Sequence, residues 1–248
     1  MMRTGNPALN KKTFQKVRVA GGEGAMTLDG TVNKSFLLFF ILLGSAGFVW
    51  HKFFASQGQA NIAPFIWGGL IGGLIAALIT VFNKRFAKIT APIYALCEGL
   101  LLGGISALYE TAYNGIVTQA VALTVGIFLT MLFLYKSKII KPTENFKLGV
   151  VAATGGIAIV YFLSFILGMF GVSIPLIHSN GIFGIGFSLF VVVIAALNLV
   201  LDFDFIESGA QMGAPKYMEW YASFGLLVTL VWLYLEILRL LAKLNSRR

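Results

Sequence analysis

The chain has 248 residues, 58% of them hydrophobic and only 12% charged, with a mean hydropathy of +0.84 and a formal net charge of +9. Soluble domains carry roughly 25% charged residues, so this composition cannot clothe a water-facing surface. The basic excess sits between long apolar runs, where it anchors helices in a lipid bilayer and does not form a phosphate-binding face, which argues against nucleic acid as a partner.

Residues 1–33 carry Arg3, Lys11, Lys12, Lys16 and Arg18 and lack an apolar run. They are expected to form a cytoplasmic, mostly disordered basic tail and not a cleaved signal peptide. Residues 34–244 are expected to form a transmembrane domain, followed by a basic end at 245–248. A spanning helix needs about 20 apolar residues, and seven segments qualify: 35–54, 62–82, 89–109, 115–135, 148–171, 181–201 and 220–241. The fold class expected is therefore all-α, a seven-transmembrane-helix bundle. Short connections make sequence neighbours bundle neighbours. The pairs Gly68–Gly72, Gly69–Gly73 and Gly99–Gly103 mark close helix packing, favoured here over dimerisation. The oligomeric state stays open.

Orientation follows from Lys and Arg in short loops. Lys34 adds to the tail; Lys84, Arg85 and Lys88 follow segment two; Lys136, Lys138, Lys141 and Lys147 follow segment four. The alternate loops are nearly bare, with Lys52 at the first and none at 110–114 or 172–180. The N-terminus is expected in the cytoplasm. The C-terminal Arg239, Lys243, Arg247 and Arg248 then conflict with a seventh span. Segment seven either spans against the charge rule, the favoured reading, or is re-entrant.

Acidic groups in these segments are costly in lipid and point to an ion or proton path. Glu98 lies nine residues past Ile89, about 14 Å deep at 1.5 Å per residue. It is either such a site or a carboxyl hydrogen-bonded to a neighbouring helix. Asp202 and Asp204 end segment six and point about 200° apart on a helix. One of the two is expected to face inward, with Asn198 on the same interior, while Glu207 is expected in solvent. Glu236 and Arg239 stand at i and i+3, close enough to pair, and Thr229 shares the Glu236 face. Enzymatic chemistry is not expected. His51 and His178 sit at segment ends, Ser106 has no motif around it, and Lys243 is too near the terminus to carry retinal. The single cysteine, Cys97, excludes an intrachain disulfide and a cysteine metal cluster.

The run Ala91-Pro-Ile-Tyr-Ala-Leu-Cys-Glu-Gly-Leu-Leu-Leu-Gly-Gly-Ile-Ser106, with Asn198 to Glu207 and Glu219 to Leu244, resembles the Bax inhibitor-1 family, its bacterial YccA-like branch in particular. The resemblance covers residues 34–244. It implies the Bax inhibitor-1 fold with the last helix central, in a bacterial inner membrane. It also implies a calcium-leak or proton-sensitive activity gated by an aspartate pair between helices six and seven. The helix-six aspartate corresponds to Asp204. For the helix-seven partner, one register lands on Thr229 and another on Glu236; the first is preferred. In that register Asp204 would couple to Asp202, Glu98 or Glu236. Two close carboxylates share a proton, and losing it would drive the helices apart. Asp204 and Glu98 are the candidate oxygen ligands for calcium, expected as a permeant ion and not as a cofactor. The rival reading is a non-transporting regulator that binds a membrane protease or other partner through the basic tail.

Overall fold

The computed structural model describes residues 24–171 and 181–246. Residues 1–23 of the basic tail, the loop at 172–180 with His178, and Arg247 and Arg248 lie outside them. The described residues form α1 (Leu28–Ala55), α2 (Ala63–Phe82), α3 (Ala87–Ala112), α4 (Ile116–Lys136), α5 (Glu144–Met169), α6 (Ile182–Gln211) and α7 (Met218–Asn245). A 3-10 turn at Lys84–Phe86 leads into α3. Among the described residues the only extended pairing is an isolated antiparallel bridge, Ala25 to Pro215. All seven helices are long and apolar enough to cross a membrane.

The helix ends follow local chemistry. Thr27 caps α1, its hydroxyl accepting from the Gly30 N–H at 3.0 Å, and Asp29 complements the helix dipole. Helix α1 therefore begins at Leu28, and residues 28–33, expected in the tail, are helical. Thr143 caps α5 in the same way, so α5 starts at Glu144 and takes in Lys147, which the sequence placed in a loop. Helix α6 runs ten residues past the expected end at 201 and keeps both aspartates on regular helix. Helix α7 is a single unbroken helix of 28 residues, about 42 Å at 1.5 Å per residue, which supports a span over a re-entrant hairpin.

The chain divides into two units. One holds α1, α2, α3 and residues 205–228; the other holds α4, α5 and residues 181–204 and 229–246. In the first unit, α3 packs against both α1 and α2 through glycine. A Cβ on Gly69 would lie 2.5 Å from the Cys97 carbonyl and 2.8 Å from the Leu101 nitrogen. One on Gly103 would lie 2.8 Å from the Ala46 Cα. Small residues here let backbones meet, and the Gly69–Gly73 and Gly99–Gly103 pairs serve packing within the unit, while Gly68 faces open space.

The start of α1 is tied to the start of α7 in this unit. Glu219 accepts from the Thr27 N–H at 2.9 Å and the Thr27 hydroxyl at 3.0 Å, and forms an ion pair with Lys34. Ser223 donates to the Thr31 carbonyl at 2.9 Å. Gly30 leaves the room Glu219 occupies, since a Cβ there would collide with the carboxylate.

Candidate functional site

Helix α5 exposes Leu148, Ile159, Phe162, Leu163 and Phe165, the surface a lipid-facing helix needs. Its opposite stripe carries Lys147, Val150, Thr154, Ile157 and Tyr161 at alternating spacings of three and four, one helical face. Three of these are polar and seven residues apart. Each meets a polar group of α6 or α7.

At one end, Lys147 donates to Asp204 Oδ2 at 2.5 Å. The lysine side chain is 1% exposed and the aspartate 15%. One turn and a half earlier on α6, the Asn198 amide donates to the Thr154 hydroxyl and to the Ile194 carbonyl, both at 2.8 Å. At the other end, the Tyr161 hydroxyl lies 3.0 Å from both Glu236 carboxylate oxygens. Arg239 Nη1 donates to Glu236 Oε1 and to the Tyr161 oxygen, both at 2.8 Å. Beyond it, Lys243 donates to the Gly184 carbonyl at 3.0 Å and the Ser188 hydroxyl at 2.8 Å. Helix α6 thus runs antiparallel to α5, with residue numbers falling on one as they rise on the other. Lys147 and Tyr161 are about 21 Å apart along α5, against a hydrocarbon core of about 30 Å.

The expected Glu236–Arg239 pair is present. Asn198, Asp202 and Thr229 are buried, and Asp204 is partly so. The two aspartates differ as their helical angle requires: Asp202 is 1% exposed while Asp204 turns to Lys147. Asp204 and Glu236 bind α5 at Lys147 and Tyr161, two full heptads apart, so they do not form a carboxylate pair with each other. The partner of Asp204 is a lysine. That reverses the expected electrostatics: an ionised Asp204 draws α6 towards α5 instead of repelling a second acid.

Glu98 belongs to the other unit. It is buried on α3, beside the gap left by Gly73, and Tyr94 hydrogen-bonds to it. Tyr94 in turn stacks edge-on against Phe224 at 4.9 Å. Tyr94 stands one turn before Glu98 on the same helix, so this bond is not the expected one to a neighbouring helix. Among the described residues no three His, Cys, Asp or Glu side chains gather as metal ligands.

Sequence reasoning missed Lys147, Thr154, Tyr161 and Ser188 as site residues. The signal was available for the first three, since their sevenfold spacing appears once α5 is started at its Thr143 cap.

Seven apolar helices with Lys147, Asp202 and Glu236 buried among them define a multi-span membrane protein with charged groups in its interior. A family model described as Bax inhibitor 1 like matches residues 6–246, and the chain belongs to that family. The search of curated proteins found no match, and neither did the search of solved structures.

Proposed function

We propose that the protein passes cations across its membrane, with calcium the first ion to test, and that the Lys147–Asp204 pair holds the path closed. The observation that carries this reading is a charged pair buried between α5 and α6 where a membrane helix has no structural need of one. Family membership supports it, as does the further buried charge at Glu236 and Lys243. The loop cations Lys84, Arg85, Lys88, Lys136, Lys138 and Lys141 favour an N-terminus in the cytoplasm, an orientation that in a bacterial inner membrane would put Lys147 and Asp204 at the cytoplasmic end. No enzymatic role and no cofactor is assigned.

The closure follows from the charge of the partner. Asp204 attracts Lys147 and keeps α5 and α6 together. Asp204→Asn removes that attraction and frees the pair. Calcium flux into liposomes carrying the purified protein should therefore be higher for Asp204→Asn than for the unaltered chain, with empty liposomes as control. Absence of flux from both proteins, folded and inserted, would count against conduction and favour the regulator, with residues 1–33 as its contact.

A further inference from the structure

The polar stripe between α5 and α6 is interrupted once. Between the Asn198–Thr154 bond and the Tyr161–Glu236–Arg239 group, Ile157, Val191 and Ile194 form a cluster 4%, 0% and 7% exposed. Trp232 of α7 and Phe187 of α6 pack against it. Ile157 lies three residues after Thr154 and four before Tyr161, on the same face of α5. Ile194 is one turn from Asn198 and accepts its amide through the backbone carbonyl at 2.8 Å. Along this line the interior runs from charged to polar, then dry, then charged again.

An apolar layer alone would be ordinary helix packing. Its flanks change its meaning. Helices in lipid gain no hydrophobic drive from meeting one another, and every buried charge carries a cost. Here charged groups are kept on both sides of one apolar layer, at opposite ends of the same seam. A short dry ring between two polar stretches stops ions by excluding water, and opens when it wets.

We propose that Ile157, Val191 and Ile194 form the hydrophobic constriction of an ion path along this seam, entered past Lys147–Asp204 at one face and past Tyr161–Glu236–Arg239 at the other. The inference rests on the conduction reading and adds the route and a second barrier along it. It makes Trp232 the side chain of α7 that backs the ring, and it places Tyr161 and Arg239 as the lining of the second entrance.

Two measurements test it. Val191→Thr keeps the shape and adds a hydroxyl, so it should wet the ring and raise calcium flux several-fold. Val49→Thr makes the same change at a fully buried site on α1, in the other unit, and should not. Equal flux from the two variants, or no rise with Val191→Thr in folded protein, overturns the constriction. The second measurement does not depend on flux. In a Cys97→Ser/Asp204→Asn background, in which the first entrance is released, Thr154→Cys and Tyr161→Cys should react with a membrane-impermeant thiol reagent from opposite faces. Phe162→Cys, on the lipid-facing side of α5, should react from neither. Reaction of the first two from opposite faces without flux in any variant would leave the seam standing and remove the conduction reading. Protection of both from both faces would remove the seam, whatever the flux shows.

Discussion

Replacing Lys147 with Met removes a buried ammonium and keeps most of the side-chain volume. The change leaves Asp204, 15% exposed, with its main counter-charge gone. Breaking a buried ion pair from one side costs about 3–5 kcal/mol, most of it the penalty of an uncompensated charge. Asp204→Asn strands the lysine, which at 1% exposure has even less access to water, and should cost a comparable amount. The double variant Lys147→Met/Asp204→Asn strands no charge. It should be less destabilised than either single, because the desolvation penalty disappears with the pair. The assay is reversible unfolding of the four proteins in mixed detergent, read as a double-mutant cycle. Single costs that add in the double to within about 0.5 kcal/mol would mean that the two groups act independently. That result would refute the acid–base closure on which the flux prediction for Asp204→Asn stands.

Other outcomes follow from the same geometry. Tyr161→Phe removes the hydroxyl bound to both Glu236 and Arg239, and should cost about 1–3 kcal/mol in the same unfolding assay. Because the ring remains, the loss should be far smaller in Glu236→Gln/Tyr161→Phe than the sum of the singles. Gly103→Val would drive a side chain into the Ala46 backbone, and should lower the midpoint of thermal unfolding by the equivalent of at least about 1–3 kcal/mol. Gly126→Ala on α4 meets nothing within 4 Å and should be neutral or stabilise by roughly 0.5–1 kcal/mol.

The sequence made the helices legible because lipid imposes one simple requirement, a run of apolar residues long enough to cross it. Their ends were less legible. Ser35 looked like a start because Asn33 and Lys34 look like loop, yet Thr27 caps the helix eight residues earlier and Glu219 neutralises Lys34. The same misreading hid Lys147. Counted as a loop cation it argued for orientation; within α5 it is the partner of Asp204. The conflict posed by the basic C-terminal end eases for a related reason. Arg239 and Lys243 are bound inside their unit, to Glu236 and to Ser188, and are not loop charges. Local pairing at i and i+3 was readable, as Glu236–Arg239 shows. Pairings between helices were not, because composition carries no record of which faces meet. The expected partner of Asp204 was an acid drawn from the resemblance, and the structure supplies a base.

The clamp between Thr27 and Glu219 joins residues 192 positions apart. A ribosome adding roughly 5–20 residues per second needs about 10–40 s to make the intervening chain. During that interval the first helix can enter the bilayer, but its opening turn has no carboxylate to receive Thr27 and Lys34. The earliest part of the chain is therefore among the last to be fastened. A truncation anywhere before Glu219 would leave that end open, a mark by which quality-control proteases could tell an unfinished chain from a complete one.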